Sequence, residues 1–228
     1  MTLFQYPNVK HRRKLSPRQF KRYRSYKRFL QTEFARVCVY CRQSDCSAPN
    51  IAFGVDHYRP KGIARFENLI CSYENLYYCC SGCNSRKSDY WPVNEDVGPY
   101  VVNPCDYAML AHLSFDPNTG RVEPKSLHGI HTEQLLQLND DASVQYRLGT
   151  LKTVRLYSLE IEQQERKLKM LTARLRKSKI SKHDYESEVH TIKNDLAILR
   201  RTKQSHAGEL PLPPLMKKRL GLVLLERS

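Results

Sequence analysis

Apolar and aromatic positions fall into distinct patterns along the chain. Phe20, Tyr23, Tyr26 and Phe29 recur every three residues among basic ones, predicting a helix that starts near Ser16-Pro17, with Ser as cap and Pro in the first turn. Leu168, Leu171 and Leu175, then Tyr185, Val189, Ile192, Leu196 and Leu199, keep three-four spacing with a break between Lys177 and Ser181. Ser181 and Asp184 read as a capping box with Asp in the Glu position, so residues 131–206 are predicted to form an antiparallel helical hairpin with a basic loop. Two matching heptads per arm favour packing on the rest of the chain over docking of a second copy or a partner. Tyr100-Val101-Val102-Asn103-Pro104 reads as extended, and residues 113–122 as a β-hairpin turning at Pro117-Asn118-Thr119-Gly120. The tail joins a stiff proline segment to a short apolar one, a shape suited to docking. The resulting division is a basic helical arm (1–35), a central module (36–92), an irregular and β-hairpin extension (93–130), a helical hairpin (131–206) and a docking tail (207–228). No apolar run approaches the roughly 18 residues that span a bilayer, so no membrane role is expected.

Charge changes this picture at one end. The 228 residues carry 38 Lys plus Arg against 23 Asp plus Glu, a formal net charge of +15. Ten of those basic residues precede residue 29, and the first acidic residue is Glu33. The remaining 200 residues are close to neutral. Blocks of like charge repel unless something neutralises them, which points to a polyanion held by Arg12, Arg13, Lys14, Arg18, Lys21 and Arg22; the alternative is a solvated helix docked by its aromatic stripe. Affinity is therefore expected to be separable from chemistry, with deletion of residues 1–28 weakening binding alone.

The N-terminal sequence lacks the basic-then-apolar order of a secretory signal, so a cytoplasmic location is expected and the eight cysteines are read as thiols or metal ligands. Two C-x2-C pairs stand out, Cys38-Val39-Tyr40-Cys41 and Cys80-Ser81-Gly82-Cys83. Two such turns complete a tetrahedral zinc site, and four thiolates without an open position make it structural. Cys71, Cys79 and Cys105 read as free thiols. Cys46 is ambiguous, because it can substitute as a ligand if the second pair uses Cys79, a register the C-x2-C spacing disfavours.

Between the knuckles lies Val55-Asp56-His57-Tyr58-Arg59-Pro60-Lys61, followed by Asn75-Leu76 and then by Asn84 and Lys87 just after the second knuckle. Adjacent Asp and His on a strand face opposite ways unless the backbone bulges or turns. In its order, C-x2-C, D-H-x-x-P, N-L, C-x2-C-N-x-x-K, the segment over about residues 36–92 resembles the HNH endonuclease family. The resemblance implies an α+β fold whose core is a ββα-metal nuclease module with zinc knuckles. It implies His57 as general base, Asp56 and Asn84 as ligands of the catalytic ion, and Asn75 as a brace for the loop bearing the His. Asn68-Leu69 is a second N-L pair, though farther from the knuckle.

An imidazole with an unperturbed pKa of about 6.5 can accept a proton from water near neutral pH. The oxygen ligands of Asp56 and Asn84 favour Mg²⁺ or Mn²⁺ over zinc. Arg59, Lys61, Arg86 and Lys87 are candidates for neutralising phosphates beside the cut. His112, His128 and His131 lack ligand-spaced partners. The expected function is metal-dependent hydrolysis of DNA, and the resemblance further implies a restriction or phage-defence setting with an ATPase partner; homo-oligomers are possible. The alternatives are a non-catalytic zinc module that binds nucleic acid and a partner-activated adaptor.

Overall fold

The computed structural model describes residues 3–46 and 52–212. Its central unit is a two-stranded antiparallel sheet in which β1 (Phe53–His57) pairs with β2 (Leu76–Cys80), from Phe53 opposite Cys80 to His57 opposite Leu76. Every residue of β2 is buried, so this strand runs through the core and not along an edge facing water. It leads directly into α2 (Ser81–Lys87), where Cys80 caps the helix by accepting the Cys83 amide on Sγ. The mixed helix-and-sheet class read from the sequence is what the chain adopts.

The basic N-terminal stretch departs from expectation. No helix begins at Ser16; a single 3-10 turn covers Tyr23–Tyr26 and continues into α1 (Lys27–Glu33). The strict three-residue aromatic spacing suits that tighter turn, with three residues per turn, better than a 3.6-residue helix. Ahead of it the chain runs as an irregular strap: the amides of Lys14 and Leu15 donate to the Glu33 carboxylate, as does His11 Nε2 at 2.7 Å, and the Phe20 amide donates to Tyr26 Oη. Phe4 and Tyr6 lie in the main core with Tyr26 and Leu30. The first 28 residues are thus part of the folded body, not a detachable arm, and deleting them removes core side chains along with charge.

Downstream, Val101 and Val102 are buried but belong to no strand, and β3 (Leu113–Phe115) pairs with β4 (Val122–Pro124) across the expected turn, whose Gly120 adopts φ +70°. A helix not separated in the sequence reading, α3 (Leu127–Leu136), starts four residues ahead of the expected hairpin boundary and packs on α2. The hairpin proper is α4 (Asp141–Arg176) and α5 (Lys182–His206). Ser181 caps α5 by accepting the Asp184 amide, as the sequence suggested, but the Asp184 carboxylate accepts from the Ser181 hydroxyl and not from its backbone amide as in a full capping box. Most of the proposed docking tail, residues 213–228, lies outside the described residues. Among the described residues no helix is long and apolar enough to cross a membrane.

Candidate metal centre and adjoining polar cavity

The first knuckle is a tight turn closed by a bridge between Val37 and Ser44, with the Cys38 amide donating to the Gln43 carbonyl and Arg42 at φ +62°. The second is the junction of β2 and α2. They bring Cys38, Cys41, Cys80 and Cys83 together with all four Sγ atoms within 4.8 Å of one another, and Cys41 Sγ 3.7 Å from Cys80 Sγ. A tetrahedron with Zn–S bonds of about 2.3 Å has edges of roughly 3.8 Å, so this cluster fits a zinc ion. Without a metal the four thiols form one hydrogen-bonded set that pushes Cys80 down and Cys41 and Cys83 up, so a single thiolate is held by its three neighbours. The alternative register is excluded: Cys79 and Cys80 are successive residues of a strand and face opposite sides, while Cys46 lies apart with its thiol on Asp45.

A cavity of about 260 Å³ is lined by Tyr23, Asp56, His57, Lys61, Asn84, Ser85, Ser88 and Asp89, among others. His57 closes β1, and its Nε2 lies 3.0 Å from the Ile70 carbonyl. A carbonyl only accepts, so Nε2 carries the proton and Nδ1 is left as the basic nitrogen. Burial lowers the His57 pKa below its ordinary value; the Ile70 contact and Asp56 raise it, and Lys61 and Lys87 lower it further, so the ring is neutral at pH 7. Tyr23, from the basic segment, meets the imidazole edge-on at 4.6 Å.

Asn75 holds the loop after His57 by both ends of its amide: Oδ1 accepts the Arg59 amide at 2.8 Å, and Nδ2 donates to the Arg59 carbonyl at 3.0 Å. Its own carbonyl accepts the Tyr58 amide. Asn68, the other candidate, is exposed. Asn84 is exposed on α2, at the cavity.

Asp56 is buried, and two groups claim its carboxylate. Tyr40 Oη donates to Oδ2 at 2.5 Å, and Lys87 Nζ donates to Oδ1 at 3.2 Å and to the His57 carbonyl at 2.8 Å. A carboxylate has about four lone-pair positions, so these two bonds leave acceptor capacity on a side chain that is only 4% exposed. Asp56, Asn84, Asp89 and the two serines place oxygen donors along the cavity, the donor type that Mg²⁺ and Mn²⁺ take. Apart from the cysteines, no group of three His, Cys, Asp or Glu ligands forms among the described residues.

Three of the expected phosphate-binding residues are placed elsewhere. Lys87 is 1% exposed and spent on Asp56. The Arg13 guanidinium lies within 4.9 Å of the Phe34, Tyr73 and Tyr77 rings and donates to the Leu76 carbonyl, a core position out of reach of a backbone phosphate. Arg86 clamps α2 to the turn before α4, bonded to the Leu136 carbonyl and paired with Asp140 at 2.8 Å. Arg12, Lys14, Arg18, Lys21, Arg22, Arg59 and Lys61 are exposed, with Lys61 stacked over Tyr23 at the cavity. Tyr23, Tyr40 and the Lys87 pairing were missed in the sequence reading; only the aromatic spacing offered a signal for Tyr23.

Comparison with known proteins gives no match to this chain, whether among family models, curated proteins or solved structures.

Proposed function

We propose that the chain is a metal-dependent endonuclease of the HNH type, with β1, β2 and α2 as its ββα-metal module, hydrolysing phosphodiester bonds in DNA. The observation that carries this reading is His57: a neutral imidazole with its tautomer fixed by the Ile70 carbonyl, its loop fastened by Asn75, and its ring in a polar cavity with Asn84. In the proposed reaction Nδ1 of His57 accepts a proton from the attacking water. Asn75 keeps the imidazole aimed, and Lys61 at the cavity neutralises a phosphate oxygen. Mg²⁺ or Mn²⁺ held by Asp56 and Asn84 would polarise the phosphate and stabilise charge on the leaving 3′-oxygen. The cysteine cluster, with zinc, would fix β2 and α2 on the first knuckle and so set where Asn84 stands.

A second reading has its own support. The Lys87 ammonium and Tyr40 hydroxyl already satisfy Asp56, as in a purely structural pair, and a non-catalytic zinc module that binds nucleic acid would need no more. Incubating supercoiled plasmid with Mg²⁺ or Mn²⁺ separates the two. The nuclease reading expects nicked or linear product from the wild type and at least a hundredfold less from His57→Ala, in line with the roughly 10²–10⁴-fold contribution of a general base. Equal cutting by both proteins would remove His57 as the base, and salt-sensitive binding with no cutting under either ion would favour the non-catalytic module.

A further inference from the structure

Residues 166–183, at the turn of the helical hairpin, contain eight basic and no acidic side chains. The change is abrupt: residues 141–165 hold three basic and four acidic, and residues 184–206 hold four of each. All eight basic side chains at the tip are exposed. Among the described residues only Lys182 has an acidic partner, Glu186 at 3.7 Å, whereas nearer the base Arg200 pairs with Glu165 at 2.7 Å. The helix dipole favours Arg174 and Arg176 in the last turn of α4, but it disfavours Lys182 in the first turn of α5. Capping therefore accounts for part of the cluster and opposes another part.

The tip is also remote. The buried residues of α4 are Val144, Arg147 and Thr150, all near its start, and 36 residues at 1.5 Å each make the helix about 54 Å long. A protein partner would be expected to dock on apolar or aromatic anchors, and the only large exposed hydrophobic side chain in this segment is Met170. Clustered, unpaired charge without an apolar centre suits a phosphate backbone.

We infer that the hairpin tip is a second nucleic-acid contact, gripping duplex phosphates at a distance of about 50 Å from the hairpin base, or roughly 15 base-pair steps. The identity of the polyanion rests on the nuclease reading above; the surface itself does not. Its contribution is to affinity and to the salt dependence of binding.

The test is fluorescence anisotropy of the full chain with a 40-base-pair labelled duplex, without added divalent ion, over a series of salt concentrations. The variant carries Arg174→Gln and Arg176→Gln, which keep helix propensity, and Lys177→Gln and Lys179→Gln, which keep the turn polar. Each phosphate that the variant no longer neutralises flattens the slope of log affinity against log salt by about 0.9, so the expected change is roughly 1 to 4. Unchanged helicity by circular dichroism and an unaltered melting transition establish that the variant is folded. A flattened slope supports the inference even if neither protein cuts DNA, in which case only the nuclease reading fails. An unchanged slope and affinity in the folded variant overturns it and leaves an acidic protein surface, or solvent, as what the tip meets.

Discussion

Lys87 and Asp56 form the most consequential residue pair near the cavity. An ammonium and a carboxylate that are 1% and 4% exposed are largely cut off from bulk water, so each depends on the other, and Asp56 also on Tyr40, for compensation. Lys87 also holds the His57 carbonyl, which couples α2 to the end of β1. Removing one partner of a buried pair is far costlier than removing both. Lys87→Met should therefore destabilise the chain by about 3–5 kcal/mol in urea unfolding, and Asp56→Asn in the same chain should recover part of that loss. A loss under about 1 kcal/mol for the single substitution would mean that water reaches the pair in solution.

At the scale of elements, Glu33 is the fastening of the N-terminal strap to α1. Burial pushes its carboxyl up, but the amides of Lys14 and Leu15 and the His11 ring outweigh burial and hold its pKa below the ordinary value. The sign follows from linkage: a depressed carboxyl contributes stability that is complete above the unfolded pKa of about 4.3 and is lost as pH falls through the folded value. Glu33→Gln should lower the melting temperature at pH 7, and the gap to wild type should close below about pH 4. A gap that stays constant into acid would place the strap's hold in packing and not in the carboxylate.

The strap also marks where the sequence stopped being legible. Local signals read true: both C-x2-C pairs, the Ser181 cap and the Gly120 turn depend on neighbours a few residues away. Arg13, Glu33 and Lys87 look like surface charges because nothing nearby in sequence compensates them; their partners lie up to 63 residues away. Asn75 was legible as a brace only through a motif, since its partner Arg59 is set by the register of β1 and β2.

On the scale of the whole molecule, the chain has two hydrophobic centres. The main one gathers the N-terminal strap, the knuckles, β1 to β4 and α3, and it reaches α4 only as far as Tyr146 and Leu151. Val189, Ile192 and Leu196 are buried without belonging to it, because the far part of α5 packs on α4. The two centres meet at the hairpin base, where Ser205 Oγ donates to the Cys46 carbonyl and Tyr157 stacks on His206. Charge follows the same division: +10 lies in residues 1–28, +8 at the far tip, and the rest of the chain is −3. Two cores with a narrow junction should melt as two units. Excising residues 161–199 and closing the helices, about 8–10 Å apart, with a four-residue Gly-Ser turn should remove helical circular dichroism while leaving zinc content and the main transition near wild type. The zinc stoichiometry is the sharper readout, since the cysteine cluster forms only if the main core does. If excision released the zinc, the hairpin would be a strut of the metal centre, and its reach to the tip could not be treated as independent of the cavity.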